Sequence, residues 1–118
     1  MKRTADDFLR DAVERAQHAA EHIRGMTKEQ FLADRRSRDA VAKCIEDVGE
    51  AANRAVKLDP SLLDDFEGRA AYEMRNFLSH AYFRIDASVL WNAAIADLPK
   101  LKRDIENILQ RRAQKSSG

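Results

Sequence analysis

Glycine, proline, cysteine and long apolar runs are all scarce in this sequence. Its 118 residues include four glycines, two prolines and one cysteine. Strand-type runs of valine, isoleucine, threonine and aromatic residues are absent, whereas alanine, leucine, arginine and the acidic residues dominate. Good helix formers with few helix breakers predict an all-α fold. A chain of this length can bury one hydrophobic core without a metal or disulfides.

The missing features also narrow the classes of function. No stretch approaches the roughly 20 apolar residues that span a bilayer, and no apolar block follows the Met-Lys-Arg start, so neither a membrane partner nor a secretory signal is predicted. The single cysteine, Cys44, cannot form an internal disulfide and fits a small buried residue better than a nucleophile. We therefore expect a soluble, cytoplasmic protein. The formal net charge of +1 predicts no whole-molecule attraction to nucleic acid, although a local basic cleft is compatible with it.

Apolar residues recur at helical spacing in four long segments, which cover about residues 4–25, 34–59, 69–83 and 86–110. Thr4 and Asp86 are suited to cap the first and fourth helices. Gly25 is suited to end the first helix, and Pro99 should kink the fourth or mark its restart, with the continuing apolar spacing favouring a kink.

Two short helical turns are predicted between these segments. Thr27 and Gln30 have the spacing of a capping box, which opens a turn carrying Phe31. A second turn covers residues 61–66. Long helices with short connections predict an antiparallel four-helix bundle. We expect one domain over residues 1–112 and a frayed polar tail over 113–118.

No metal or cofactor site is predicted. Phosphate-cradling glycine patterns and zinc-type Cys/His spacing are absent from the sequence. His18 and His22 lie four residues apart and could share a metal, but exposed helical histidines are usually solvated. The cluster Arg35, Arg36 and Arg38 fits an exposed helix start, with contact to an RNA backbone as the alternative.

One segment, residues 75–82, concentrates reactive side chains among core residues. Arg75, Asn76, His80 and Tyr82 fall within about two helical turns. From residue types alone, a structural arginine and a capping histidine at a helix end are the favoured interpretation.

The pattern Arg-Asn-x-x-x-His-x-Tyr in this segment resembles the signature of HEPN domains, and more narrowly of the HepT-like family. Gly49-Glu50-Ala51 and Trp91 are also similar to family features, so the resemblance covers most of the chain. Many members carry a proline–tryptophan pair before the motif helix, which is missing here; Tyr72 can fill the aromatic role. This departure leaves the catalytic pattern intact and weakens only the assignment to a subfamily.

The resemblance implies a HEPN-like bundle with metal-independent endoribonuclease activity. Such a protein acts as a toxin that is held in check by a minimal nucleotidyltransferase antitoxin encoded beside it. His80 would serve as general acid or base, because histidine titrates near neutrality. Arg75 would stabilise the charged phosphorane, and Asn76 would position the phosphate or hold the backbone. Ser79 and Glu50 are candidate supporting residues; Glu50 lies at the edge of its apolar stripe and could instead meet an arginine.

The resemblance also implies that Tyr82 accepts adenylyl groups from the nucleotidyltransferase. The alternative is a half-buried aromatic residue with its hydroxyl in water. Arg75 and Tyr82 are seven residues apart and share a helical face, so an attached AMP would border the RNA cleft.

Helical geometry favours a site built from two subunits. On an ideal helix Arg75 and His80 point about 140° apart, so they meet only if the helix ends or distorts near Ser79 or a second copy contributes. A two-fold homodimer would set two motifs against each other and supply one histidine as base and one as acid. The competing function is a non-catalytic helical adaptor or nucleotide-binding partner of a nucleotidyltransferase, which the intact Arg75 and His80 pair disfavours.

Overall fold

The computed structural model describes residues 2–66 and 86–117, and within these ranges every regular element is helical. The elements in chain order are α1 (Ala5–His22), α2 (Lys28–Ala33), α3 (Arg35–Leu58), α4 (Leu62–Asp65), α5 (Ala87–Asn92), a π turn (Ala93–Asp97) and α6 (Leu98–Ser117). The all-α prediction is confirmed. The third predicted long helix lies outside the described residues.

Local capping interactions set the starts of these helices. Thr4 and Asp7 form a complete capping box, with each side chain accepting a hydrogen bond from the other's backbone N–H at 3.1 and 2.9 Å. Thr27 and Gln30 do the same at the start of α2, which confirms the predicted box. Helix α1 ends at His22, and Gly25 takes a φ of 79° in the following turn, where a side chain would be strained.

Helices α1 and α3 pack side by side in opposite directions. Asp47 in the middle of α3 is 3.9 Å from Arg15 on α1, while Arg54 near the end of α3 lies over Phe8 near the start of α1. Cys44 on α3 is buried in the core, as predicted, and this burial raises the pKa of its thiol. The largest fully buried side chains of the core are Phe31, Leu9, Ile45, Leu62, Leu98, Leu101, Ile105, Ile108, Val41 and Val48.

The irregularity expected at Pro99 takes the form of the π turn just before it. The Leu98 N–H donates to the Ala93 carbonyl, five residues earlier rather than four. Proline has no N–H, and its ring crowds the carbonyl of the preceding turn, so a wider turn on this side lets the helix continue.

The frayed polar tail over residues 113–118 stays a prediction. Helix α6 continues to Ser117. Arg112, at the predicted domain boundary, contacts three carboxylates. The assignment of residues 1–112 as one domain stays a prediction. Among the described helices, none is long and apolar enough to cross a bilayer.

Candidate functional site

The motif predicted to carry the chemistry lies outside the described residues, and this applies to Arg75, Asn76, Ser79, His80 and Tyr82. The described residues end at Phe66 and resume at Asp86, so the motif lies within residues 67–85, called the motif segment below. Phe66 is buried in the core, and the Asp86 carboxylate accepts a hydrogen bond from the Ser88 N–H at 2.8 Å as the cap of α5. The described core therefore fixes the points at which the chain enters and leaves the motif segment.

Glu50, the predicted supporting residue on α3, forms an ion pair with Arg54 one turn later. The Arg54 Nη2 to Glu50 Oε1 distance is 2.7 Å, and both side chains are exposed. The sequence-based alternative that Glu50 meets an arginine is thus confirmed. Exposed pairs of this spacing contribute little stability, so Glu50 remains accessible to another partner. Its support of the motif stays a prediction.

A groove of about 380 Å³ runs between α1 and α3 beside this pair. Phe8 lies in it with the Arg3 guanidinium 4.5 Å from its ring centroid, a favourable cation–π distance. The groove is lined by four acidic side chains and three arginines: Asp11, Glu14, Asp47, Glu50, Arg3, Arg15 and Arg54. This lining does not favour a phosphate backbone, because the acidic groups outnumber the basic ones. Sequence analysis missed the groove, since it depends on which helices pair.

The basic cluster at the start of α3 is largely engaged within the protein. Arg38 donates a hydrogen bond to the carbonyl of Leu32, and Arg35 lies 3.7 Å from Asp39. These contacts favour the exposed helix start over a phosphate site. Contact with RNA stays an untested alternative.

His18 and His22 on α1 are the sequence-based candidates for a metal site. His18 Nε2 lies 3.8 Å from Glu14 Oε1 on the same helix. Within residues 2–66 and 86–117, no three His, Cys, Asp or Glu side chains are grouped so that they could hold a metal ion.

Arg112 is the centre of a polar network that sequence analysis did not predict. Its guanidinium contacts Asp6 at 2.7 Å, Asp59 at 3.0 Å and Asp65 at 3.5 Å, and all four side chains are about 30% exposed. Hydrogen bonds from the Ser61 hydroxyl and from Arg112 lower the pKa of Asp59. Asp6 lies in the first turn of α1, Asp59 caps the end of α3 and Asp65 is the last residue of α4, and only the fold brings the three to one arginine.

Comparisons with known proteins agree with the motif. The model of the family described as Ribonuclease HepT-like matches residues 9–108. The chain is 34% identical over 108 residues to a Thermococcus cleftensis protein named "Probable ribonuclease HepT". This alignment covers 92% of this chain and 98% of the relative. It is 30% identical over 105 residues to a Methanocaldococcus jannaschii protein named "Putative RNase MJ1380", covering 89% and 96% of the two chains. No solved structure matches the chain.

The matched range contains the whole segment 75–82, together with Glu50 and Trp91. The resemblance inferred from a short pattern therefore extends over most of the helical bundle, and the HEPN-like fold is confirmed with it. This chain belongs to the HepT-like ribonuclease family.

Proposed function

We propose that this protein is a metal-independent endoribonuclease toxin, and that a partner minimal nucleotidyltransferase neutralises it by adenylylation. The family match over residues 9–108 carries this proposal, because it spans the complete Arg-Asn-x-x-x-His-x-Tyr pattern. Both relatives compared above are named as RNases and match this chain over nearly their full length.

The cleavage step uses a nucleophile that RNA itself provides. The 2′-oxygen attacks the adjacent phosphorus, the bond to the 5′-oxygen breaks, and a 2′,3′-cyclic phosphate forms. One proton leaves the 2′-hydroxyl and one reaches the departing 5′-oxygen, which suits His80 as base or acid. Arg75 stabilises the additional negative charge on the phosphorane with its planar fork of donors, and Asn76 orients the phosphate.

The active unit in this proposal is a homodimer. Arg75 and His80 of one copy diverge by about 140° on a regular helix, so two copies related by a two-fold axis assemble the site more readily than one. The dimer also supplies two histidines, and one can accept a proton while the other donates one.

Adenylylation of Tyr82 would block RNA binding at the same site. The Tyr82 hydroxyl oxygen attacks the α-phosphorus of ATP, the bond between this phosphorus and the oxygen that bridges to the β-phosphate breaks, and pyrophosphate leaves. The phenol proton passes to a base or to water. The attached AMP keeps one negative charge and can pair with Arg75, so its charge and its bulk both exclude RNA.

Mass spectrometry tests the proposal together with a cleavage assay. Purified protein is incubated with the cognate nucleotidyltransferase, ATP and magnesium, and the adduct is mapped while RNA cleavage is measured. We expect AMP on Tyr82, lost cleavage in the modified protein, and neither effect in the Tyr82→Phe variant. If Tyr82→Phe is neutralised equally well with no adduct anywhere, inhibition works by binding alone. A protein that binds the nucleotidyltransferase but never cleaves RNA is an adaptor.

A further inference from the structure

Arg112 joins three parts of the chain that are far apart in sequence. Its Nε donates to Asp6 in the first turn of α1, and its Nη2 donates to Asp59, the cap at the end of α3. Its Nη1 lies 3.5 Å from the carboxylate of Asp65, the last residue of α4. One side chain thus connects the start of α1, the end of α3 and the end of α4.

Asp65 is the contact that relates this network to function. It is followed by Phe66, after which the chain enters the segment that contains the motif. The neighbouring Arg111 also holds Asp65, because its Nη2 lies 3.3 Å from the Asp65 carbonyl oxygen. Two adjacent arginines of α6 therefore bind the side chain and the backbone of the same residue at the entrance to the motif segment.

We propose that Arg112 is a positioning residue, which fixes the entrance to the motif segment relative to the end of α3 and to α6. This inference rests on the proposed function of the motif. Arginine suits the role because its planar guanidinium offers donors in several directions at once, whereas lysine is a point charge on a flexible stem. Catalytic geometry tolerates little displacement, and an error of about 1 Å far from the chemistry can cost about a hundredfold in rate.

Arg112 also screens the mutual repulsion of the three carboxylates that it contacts. Three carboxylates surround one guanidinium, so removing the positive charge leaves three like charges facing each other. Their repulsion would drive Asp65 away from Asp59 and Asp6, and the entrance to the motif segment would move with it. The ion pairs themselves are partly solvated and each contributes little to global stability. We therefore expect the network to affect local position more than overall unfolding.

Three variants separate positioning from stability. Arg112→Lys keeps the charge but loses the fork, and Asp65→Asn removes the charge at the motif entrance. Asp6→Asn is the matched control, because it weakens the shortest contact of Arg112, at 2.7 Å, and leaves Asp59 and Asp65 in place. Hydrogen–deuterium exchange of peptides between Phe66 and Asp86 is measured for each protein, together with its melting temperature and with kcat and KM for RNA cleavage.

We expect Arg112→Lys and Asp65→Asn to speed exchange in this segment and to lower kcat by up to about a hundredfold with a smaller change in KM, while Asp6→Asn matches wild type in both readouts. A double variant that combines Arg112→Lys with Asp65→Asn should lower kcat little more than Arg112→Lys alone, since both substitutions disrupt the contact between Arg112 and Asp65. If Asp6→Asn alters exchange and kcat as much as Arg112→Lys, or if no variant alters them, the positioning role is wrong. A wild-type protein without RNase activity would refute the proposed function, and the exchange comparison would still decide the role of Arg112.

Discussion

Trp91 packs its indole ring against the ring of Phe31, with the centroids 5.2 Å apart and the planes inclined by 44°. Phe31 on α2 is completely buried, and Trp91 on α5 is half-buried. This tilted arrangement is favourable for aromatic pairs. Because α5 follows the motif segment directly, the contact anchors the exit of that segment to the core, as Phe66 anchors its entrance.

Phe31→Ala should lower the free energy of unfolding by about 3–5 kcal/mol, because it removes a fully buried ring and leaves a cavity beside Trp91. Urea denaturation followed by circular dichroism measures the change. Leu58→Ala is the control, since Leu58 is 56% exposed and its truncation should change stability by no more than about 0.5 kcal/mol. Equal losses in the two variants would show that Phe31 does not hold the core together.

Stability should fall in acid partly through Asp59. Its pKa is lowered in the folded protein from an ordinary value of 3.8, first by the Ser61 hydroxyl and then by Arg112. A lowered folded pKa stabilises the protein above pH 3.8, and this contribution is lost as the pH falls through the folded value. The melting temperature of Asp59→Asn should therefore be lower than that of wild type at about pH 7, and the difference should shrink in acid. A gap that stays constant with pH would contradict this assignment.

RNA cleavage should need no divalent metal, because the proposed nucleophile is the substrate's own 2′-hydroxyl. With an unstructured RNA substrate, EDTA should leave the rate unchanged and the products should carry 2′,3′-cyclic phosphate ends. The unstructured substrate controls for metal-dependent RNA folding. Activity that is lost in EDTA and restored by magnesium would overturn the proposed mechanism.

The composite site requires two copies of the chain. Light scattering should give the mass of a dimer at micromolar concentration. Mixing inactive Arg75→Ala and His80→Ala subunits should restore part of the activity, because a mixed dimer can supply one intact arginine and one intact histidine. A monomer with full activity would remove the argument for a shared site.

The parts of the fold that sequence analysis predicted correctly depend on interactions between near neighbours. The capping box of Thr27 and Gln30 joins residues three apart, so its pattern is visible in the sequence. Pro99 likewise predicted an irregular helix, and the irregularity lies in the π turn just before it, at Ala93–Asp97. The contact between Arg112 and Asp6 spans 106 residues, and no local signal indicates it.

For the candidate site too, sequence analysis identified the local pattern but not the arrangement in space. The family is identified by the resemblance of the segment 75–82 to a known signature, with Gly49-Glu50-Ala51 and Trp91 as its context, and the match over residues 9–108 confirms that inference. The relative orientation of Arg75 and His80 depends on where a helix ends and on whether two subunits meet. Spacing in one chain determines neither. The same limit applies to the groove beside Phe8, which exists only because α1 and α3 are neighbours.

The most direct test of the account compares RNA cleavage by purified wild-type, Arg75→Ala and His80→Ala proteins in EDTA, with circular dichroism and thermal melting as folding controls. We predict that each substitution lowers the cleavage rate by at least about a hundredfold while the helical signal and the melting temperature stay near wild type, because the proton-transfer and charge-stabilising groups act only on the substrate. His80→Ala protein that cleaves RNA as fast as wild type would contradict the account.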